Sequence, residues 1–332
     1  MVRASSIVAI AVASVLTVAQ FGVGTVVAAS VLADSRDLGA AVADRQAAEA
    51  FEPDATIAGF AERTAMSTRG RALYYASHPS VEPTTGFNEL CGYGASDEIV
   101  LGCYTGSDIY ISDVDNPDLD GIRDVTAAHE MLHAAWDRLD DDERSDLGAQ
   151  LEAAYETLPE GGTVAERLEL YRTGGLGERV NELHSILGTE AVDLPPALEA
   201  HYAQYFTDRS VVVGLNARYE AVFTDLENRI TDLVARIEAS YVDLTARVEA
   251  NNAEYDALNA EIDSFNSRAD SGDFASQSAF DAARADLLAR GEAIDARRDA
   301  IDADIAAYDA LRTELEGLNA DAAALNKSVE SG

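Results

Sequence analysis

The sequence predicts a mainly helical α+β protein: a small sheet among helices, an apolar N-terminal helix, and a C-terminal antiparallel coiled-coil hairpin. Three observations predict it. Ile7 to Ala33 is a run of 27 residues without a charge. Asp124 to Leu139 contains no helix breaker and repeats Val125, His129, Leu132, Trp136 and Leu139 at helical spacing. From Leu215 onward two seven-residue repeats follow one another. Three regions result: 1–34 as transmembrane anchor or signal peptide, 35–214 as a folded domain, and 215–332 as the hairpin.

Charge excludes some functions at once. The chain has 332 residues and a formal net charge of −36. Nucleic-acid binding needs a basic footprint, so it is excluded, and docking on anionic lipid is disfavoured.

The run Ile7–Ala33 is longer than a signal-peptide core and long enough to span a bilayer with some tilt. Only Arg3 and the amino terminus carry positive charge before it, which keeps that end inside. A single-pass cell-membrane protein with its bulk outside the cytoplasm is expected. Cleavage after Val31-Leu32-Ala33 would instead give a secreted protein.

Asp37 to Ala50 is alanine-rich and reads as a helix, interrupted by Pro53. A second helix covers Thr56 to Met66, and Gly70 to Ser77 is a core-forming segment. Cys91 and Cys103 are the only cysteines, and outside the cytoplasm an isolated pair most simply forms one disulfide. Glu98 to Leu101 and Asp108 to Ser112 read as strands. Asp113 to Gly121 is dense in carboxylates and invites a calcium reading. It fails the EF-hand pattern at Pro117 and Asp118, and an acidic turn before a helix N-terminus explains it.

That next helix carries His129-Glu130-Met131-Leu132-His133, the pattern H-E-x-x-H. Residues four apart on a helix stand one above the other, so both histidines can aim a ring nitrogen at one zinc ion. Glu130, one residue after the first, lies beside the metal, where it can take a proton from a water attacking a carbonyl. The bland alternative is a pair of buried histidines satisfied by backbone carbonyls. Zinc needs a third protein ligand, with the fourth position left open. The arrangement H-E-x-x-H-x-x-G-x-x-H is excluded, because Trp136 and Leu139 stand at its last two defined positions.

Asp140-Asp141-Asp142-Glu143 opens an amphipathic helix that runs through Tyr155, and Pro159, Gly161 and Gly162 end it. Thr163 to Tyr171 reads as a further helix, and then comes Glu178 to Glu190. Within it, Asn181-Glu182-Leu183-His184-Ser185 resembles the N-E-x-x-S-D segment of thermolysin-like, or gluzincin, metallopeptidases. The resemblance covers this segment and H-E-x-x-H. It implies a zincin-like fold for 35–214, Glu182 as third zinc ligand, and hydrolysis of a peptide or protein substrate with Glu130 as base. It departs at Ile186, where the family has an aspartate that orients a ligand histidine.

Read from the residues alone, His184 and His201 remain rival ligands. Positions 182 and 184 point roughly 200° apart on a helix, so only one of them can face the metal. Tyr171 and His184 are candidate oxyanion stabilisers, as are His201, Tyr202 and Tyr205. By the same resemblance, the strand Asp108 to Ser112 is expected to pair with extended substrate. After Pro195-Pro196, the aromatic residues Tyr202, Tyr205 and Phe206 suggest packing.

In the last region Phe223, Ile230, Ile237, Leu244, Asn251, Leu258 and Phe265 recur every seven residues. They run alongside Tyr219, Leu226, Leu233, Tyr241, Val248, Tyr255 and Ile262. Gly272 marks a reversal, and Phe280, Leu287, Ile294, Ile301, Tyr308, Leu315, Ala322 and Val329 continue the repeat. Asn251 in the seam would fix register, and the hairpin offers a surface for a protein partner. Two other functions stay open: a catalytically silent envelope scaffold acting through the coiled coil, and hydrolysis of a cell-wall amide.

Overall fold

The computed structural model describes residues 39–91, 100–158, 164, 168 and 176–331. The body opens with helices α1 (39–50), α2 (Ala55–Arg63) and α3 (Thr68–Ala76). Strand β1 (Ser80–Glu82), helix α4 (Thr84–Cys91), and strands β2 (Gly102–Tyr104) and β3 (Ile109–Ser112) follow. Then come α5 (Ile122–Asp137), α6 (Asp141–Tyr155), α7 (Leu176–Glu190) and α8 (Pro196–Tyr202). Two long helices, α9 (Arg209–Ser271) and α10 (Gln277–Ser331), complete the chain. The architecture is thus mainly α with one small sheet.

Local chemistry sets the helix starts. The Asp54 carboxylate accepts from the Ile57 amide at the head of α2, and the Ser67 hydroxyl accepts from the Gly70 amide at the head of α3. Asp140 and Glu143 form a reciprocal capping box on α6. Gly121 precedes α5 at φ +95°, a conformation that favours glycine, and Leu215 closes over it.

Helix α5 is the axis of the body. Of its 16 residues 13 are buried, so the single apolar stripe expected from spacing is in fact burial on nearly every side. Alanines at 127, 128, 134 and 135 allow that, because they let neighbouring elements come close. Helices α2, α3, α7 and α9 and strands β2 and β3 all pack on it. The sheet has the order β1-β3-β2, with β1 parallel and β2 antiparallel to β3. The second strand begins at Gly102, later than the expected Glu98–Leu101, of which Glu98 and Ile99 lie outside the described residues. A Cys91–Cys103 disulfide ties the end of α4 to the middle of β2. Replacing both cysteines by serine is expected to cost roughly 3 kcal/mol. A fall in the urea midpoint, with an m-value at or somewhat above the parent's because the unfolded chain is no longer cross-linked, would report it.

Helix α9 starts in the body core at Val212, Val213 and Leu215 and continues without a break into the hairpin. Its 63 residues make it about 95 Å long. The foot of the hairpin, through Leu226, Leu233, Leu318, Leu325 and Val329, packs on Val114, Leu119 and Ile122. The acidic turn is accordingly a structural joint. Asp113 pairs with Arg123 at 2.5 Å, and the Asn116 side-chain amide donates to Ser328 Oγ of α10 at 3.0 Å.

The two arms run antiparallel, and ion pairs record the register. Arg247–Asp304, Glu254–Arg297 and Glu261–Arg290, at 2.5 to 2.7 Å, advance seven residues on α9 while retreating seven on α10. Asn251 is buried in the seam, with Arg297 Nε donating to its side-chain oxygen at 3.4 Å. The repeat is not uniform. The most buried seam residues of α9 pass from Leu226 and Leu233 to Leu244, Asn251 and Leu258, which stand at the other seam position of the heptad. Tyr241 and Tyr255, expected in the seam, are 60% and 55% exposed. Phe265, Phe274 and Phe280 pack ring to ring at the tip, where Gly272 turns the chain at φ +72°.

The expected single-pass membrane placement is corrected. Among the described residues no helix is long and apolar enough to cross a membrane. Helices α9 and α10 have the length but carry charges throughout. The run Ile7–Ala33 lies outside the described residues.

Candidate metal centre

On α5, His129 and His133 present their Nε2 atoms 3.1 Å apart, with ring centroids 4.8 Å apart. Helix α7 crosses beside them and delivers Glu182. Its Oε2 lies 3.5 Å from His129 Nε2 and its Oε1 lies 3.5 Å from His133 Nε2. One ligand atom from each of the three residues falls within 4.8 Å of the others, so the group could hold a metal ion. Among the described residues no other cluster of three potential ligands does so, the acidic turn included.

Burial and mutual charge shape the cluster's protonation. Burial lowers the His129 pKa, but hydrogen bonding to Glu182 and the charges of Glu130, Glu182 and Glu190 outweigh it and hold the ring above its ordinary range. Burial and the neighbouring His129 push His133 down to about 4, leaving it neutral. Glu182 is held below the usual carboxylate range: burial raises it, and the two histidines more than offset that.

Asn181 completes the arrangement. Its Oδ1 lies 2.9 Å from His133 Nδ1 and accepts the proton there, which leaves the Nε2 lone pair free to face a cation. At Ile186 the side chain is buried among apolar neighbours, and the amide one residue before Glu182 orients a histidine of the cluster. In the sequence, adjacency to Glu182 is the one signal that marks Asn181. Asn181→Ala is expected to weaken metal affinity about 10- to 100-fold, measured by chelator competition.

The rival ligand turns away. His184 is fully buried, with Nε2 2.8 Å from His201 Nε2, and its ring stacks on Tyr202. Burial, then His201, depresses its pKa well below the ordinary range, so both rings of this pair are neutral packing groups. As oxyanion stabilisers His184 and His201 are disfavoured because their Nε2 atoms face each other. Tyr202 donates to the His184 carbonyl at 2.7 Å, and Tyr205 is buried, so both are packing as well. Tyr171 lies outside the described residues.

Glu130 sits beside the ligand set without joining it. It is 4% exposed. Burial above all pushes its carboxyl up to about 8, the Glu182 charge adds to this, and His129 and the Tyr104 backbone N–H oppose it. The strand next to it is β2. Here the structure corrects the expected substrate strand: β3, which contains Ile109 to Ser112, is central, with β1 on one side and β2 on the other, so neither of its edges is free. Strand β2 forms the edge. The register makes Cys103 and Tyr110 a hydrogen-bonded pair, and the Ser112 amide donates to the Leu101 carbonyl. The backbone groups of Gly102 and Tyr104 therefore point outward, toward the side where Glu130 lies.

No protein-family model, curated protein or solved structure matches this chain. The chemistry of the cluster is therefore what carries a functional assignment.

Proposed function

We propose that this protein is a zinc-dependent metallopeptidase in which His129, His133 and Glu182 hold the metal and Glu130 is the general base. One observation carries the proposal. Two imidazole nitrogens and one carboxylate converge from two helices, while a second, buried carboxylate stands beside them outside the ligand set.

Zinc suits the donors. Two neutral nitrogens and one oxygen make a usual catalytic zinc set, and tetrahedral bonds of about 2.0–2.1 Å place ligand atoms about 3.3 Å apart. The two ring nitrogens lie 3.1 Å apart, each has a different Glu182 oxygen at 3.5 Å, and with one oxygen from Glu182 the three ligand atoms lie within 4.8 Å of one another, so a small turn of the carboxylate brings them to that spacing. When bound, zinc supplies Lewis acidity at a carbonyl oxygen and makes water more acidic.

The chain's own groups do the rest. A nearby dication favours the ionised form of Glu130 and offsets the burial that otherwise keeps it protonated. The ionised carboxylate takes a proton from the water that attacks the scissile carbonyl, then gives it to the departing amine. Asn181 holds His133 in one tautomer throughout. The outward-facing backbone of Gly102 in β2 offers an extended peptide a partner next to Glu130, which itself takes the Tyr104 N–H.

The test is metal analysis of the purified chain, followed by peptide-library cleavage read by mass spectrometry. About one zinc per chain is expected, with cleavage lost on chelation and restored by zinc. Zinc bound without cleavage at any pH between about 5 and 9 would overturn the peptidase reading in favour of a silent scaffold acting through the hairpin.

A further inference from the structure

Gly102 opens β2 at a place where glycine is costly. Glycine is depleted in strands, and where it occurs in one it often marks a close approach of another group. Its φ is not in the positive range that calls for glycine, so backbone freedom is not the reason. Space is. A Cβ built on Gly102 would stand 2.5 Å from Glu130 Oε1, 2.8 Å from Glu130 Cγ and 2.5 Å from Thr126 Cγ2. Carbon atoms do not pack that closely, so one group would have to move.

We propose that Gly102 is a positioning residue for Glu130: the bare backbone of the edge strand is the wall against which the catalytic carboxylate rests beside the metal ligands. This rests on the reading of Glu130 as general base. The two clashes differ in kind. Thr126 is β-branched, and its hydroxyl donates to the Ile122 carbonyl at 2.9 Å, so its methyl is held in place. Glu130 is unbranched, and its carboxylate can swing. An alanine at 102 therefore displaces the base, and the three atoms it meets first include none from His129, His133 or Glu182.

The experiment separates the two clashes. Gly102→Ala alone also strikes Thr126 and risks the fold, so it is made in a Thr126→Ser background, which removes the methyl and keeps the hydroxyl. Thr126→Ser alone is the control and is expected within about twofold of the parent in kcat. The double variant is expected to lose about 100-fold in kcat on a cleaved library peptide, with KM and chelator-measured zinc affinity within about twofold. Its crystal structure is expected to show the Glu130 carboxylate shifted away from β2 and the three ligand side chains unmoved. Parental kcat in the double variant would overturn the proposal, as would zinc affinity falling in step with kcat. Should the parent cleave no peptide, the peptidase reading fails by itself, and the Glu130 position in the variant crystal still decides the role of Gly102.

Discussion

Glu182→Gln is expected to weaken zinc binding by at least about 100-fold while leaving the fold intact. The substitution is nearly isosteric, so the packing of α7 against α5 is kept. What is lost is the one anionic donor among three, and a first ligand should matter more than the outer partner Asn181, whose removal costs about 10- to 100-fold. Protons sharpen the test. In the metal-free cluster His129 is held above its ordinary range, with the Glu182 hydrogen bond the largest contribution opposing burial. Zinc must displace that proton, so parental affinity falls as pH drops through the raised His129 value. In the Gln variant the hydrogen-bonded charge is gone, His129 gives up its proton more easily, and the pH dependence flattens. Chelator competition at two pH values reads both effects. Affinity equal to the parent at each pH would mean that the third ligand comes from elsewhere.

How much of this could be read beforehand depended on how far apart the cooperating residues lie in the chain. His129 and His133 share one turn of one helix, so their convergence follows from helical period alone. The hairpin was legible for the same reason, since a seven-residue repeat needs no knowledge of the rest of the fold. Glu182 entered through a resemblance, and only helix packing distinguished it from His184. The sheet was least legible. Gly102-Cys103-Tyr104 has little of the β-branched or aromatic run that marks a strand, and it becomes one by pairing with β3 and by its disulfide to α4. Ile109 to Ser112 has a strong strand sequence, and that apolar character goes with its central place in the sheet: Ile109 and Ile111 are fully buried.

Glu130→Gln is expected to lower kcat by about 1,000-fold with zinc content unchanged, within the span typical of a lost general base. Glutamine keeps the shape against Gly102 but cannot accept the proton, and Glu130 is not among the three ligands. A second signature needs no substrate. In the metal-free protein burial pushes the Glu130 carboxyl up to about 8 from its ordinary 4.5. Between those values the unfolded chain has released this proton and the folded chain has kept it, so Glu130 makes stability fall as pH rises. His133, pushed down to about 4 from 6.5, acts in the opposite sense over its own range, but it does so in both proteins. The difference between parent and variant therefore reports residue 130 together with the part of the His129 shift that its charge causes, and both act in the same sense. The metal-free variant should gain thermal stability over the parent as pH rises from about 5 to about 8. A parent and variant whose midpoints stay parallel across that range would mean that Glu130 is already ionised without metal. The cation would then have no protonated carboxyl to convert, and the account of how zinc readies the base would fall.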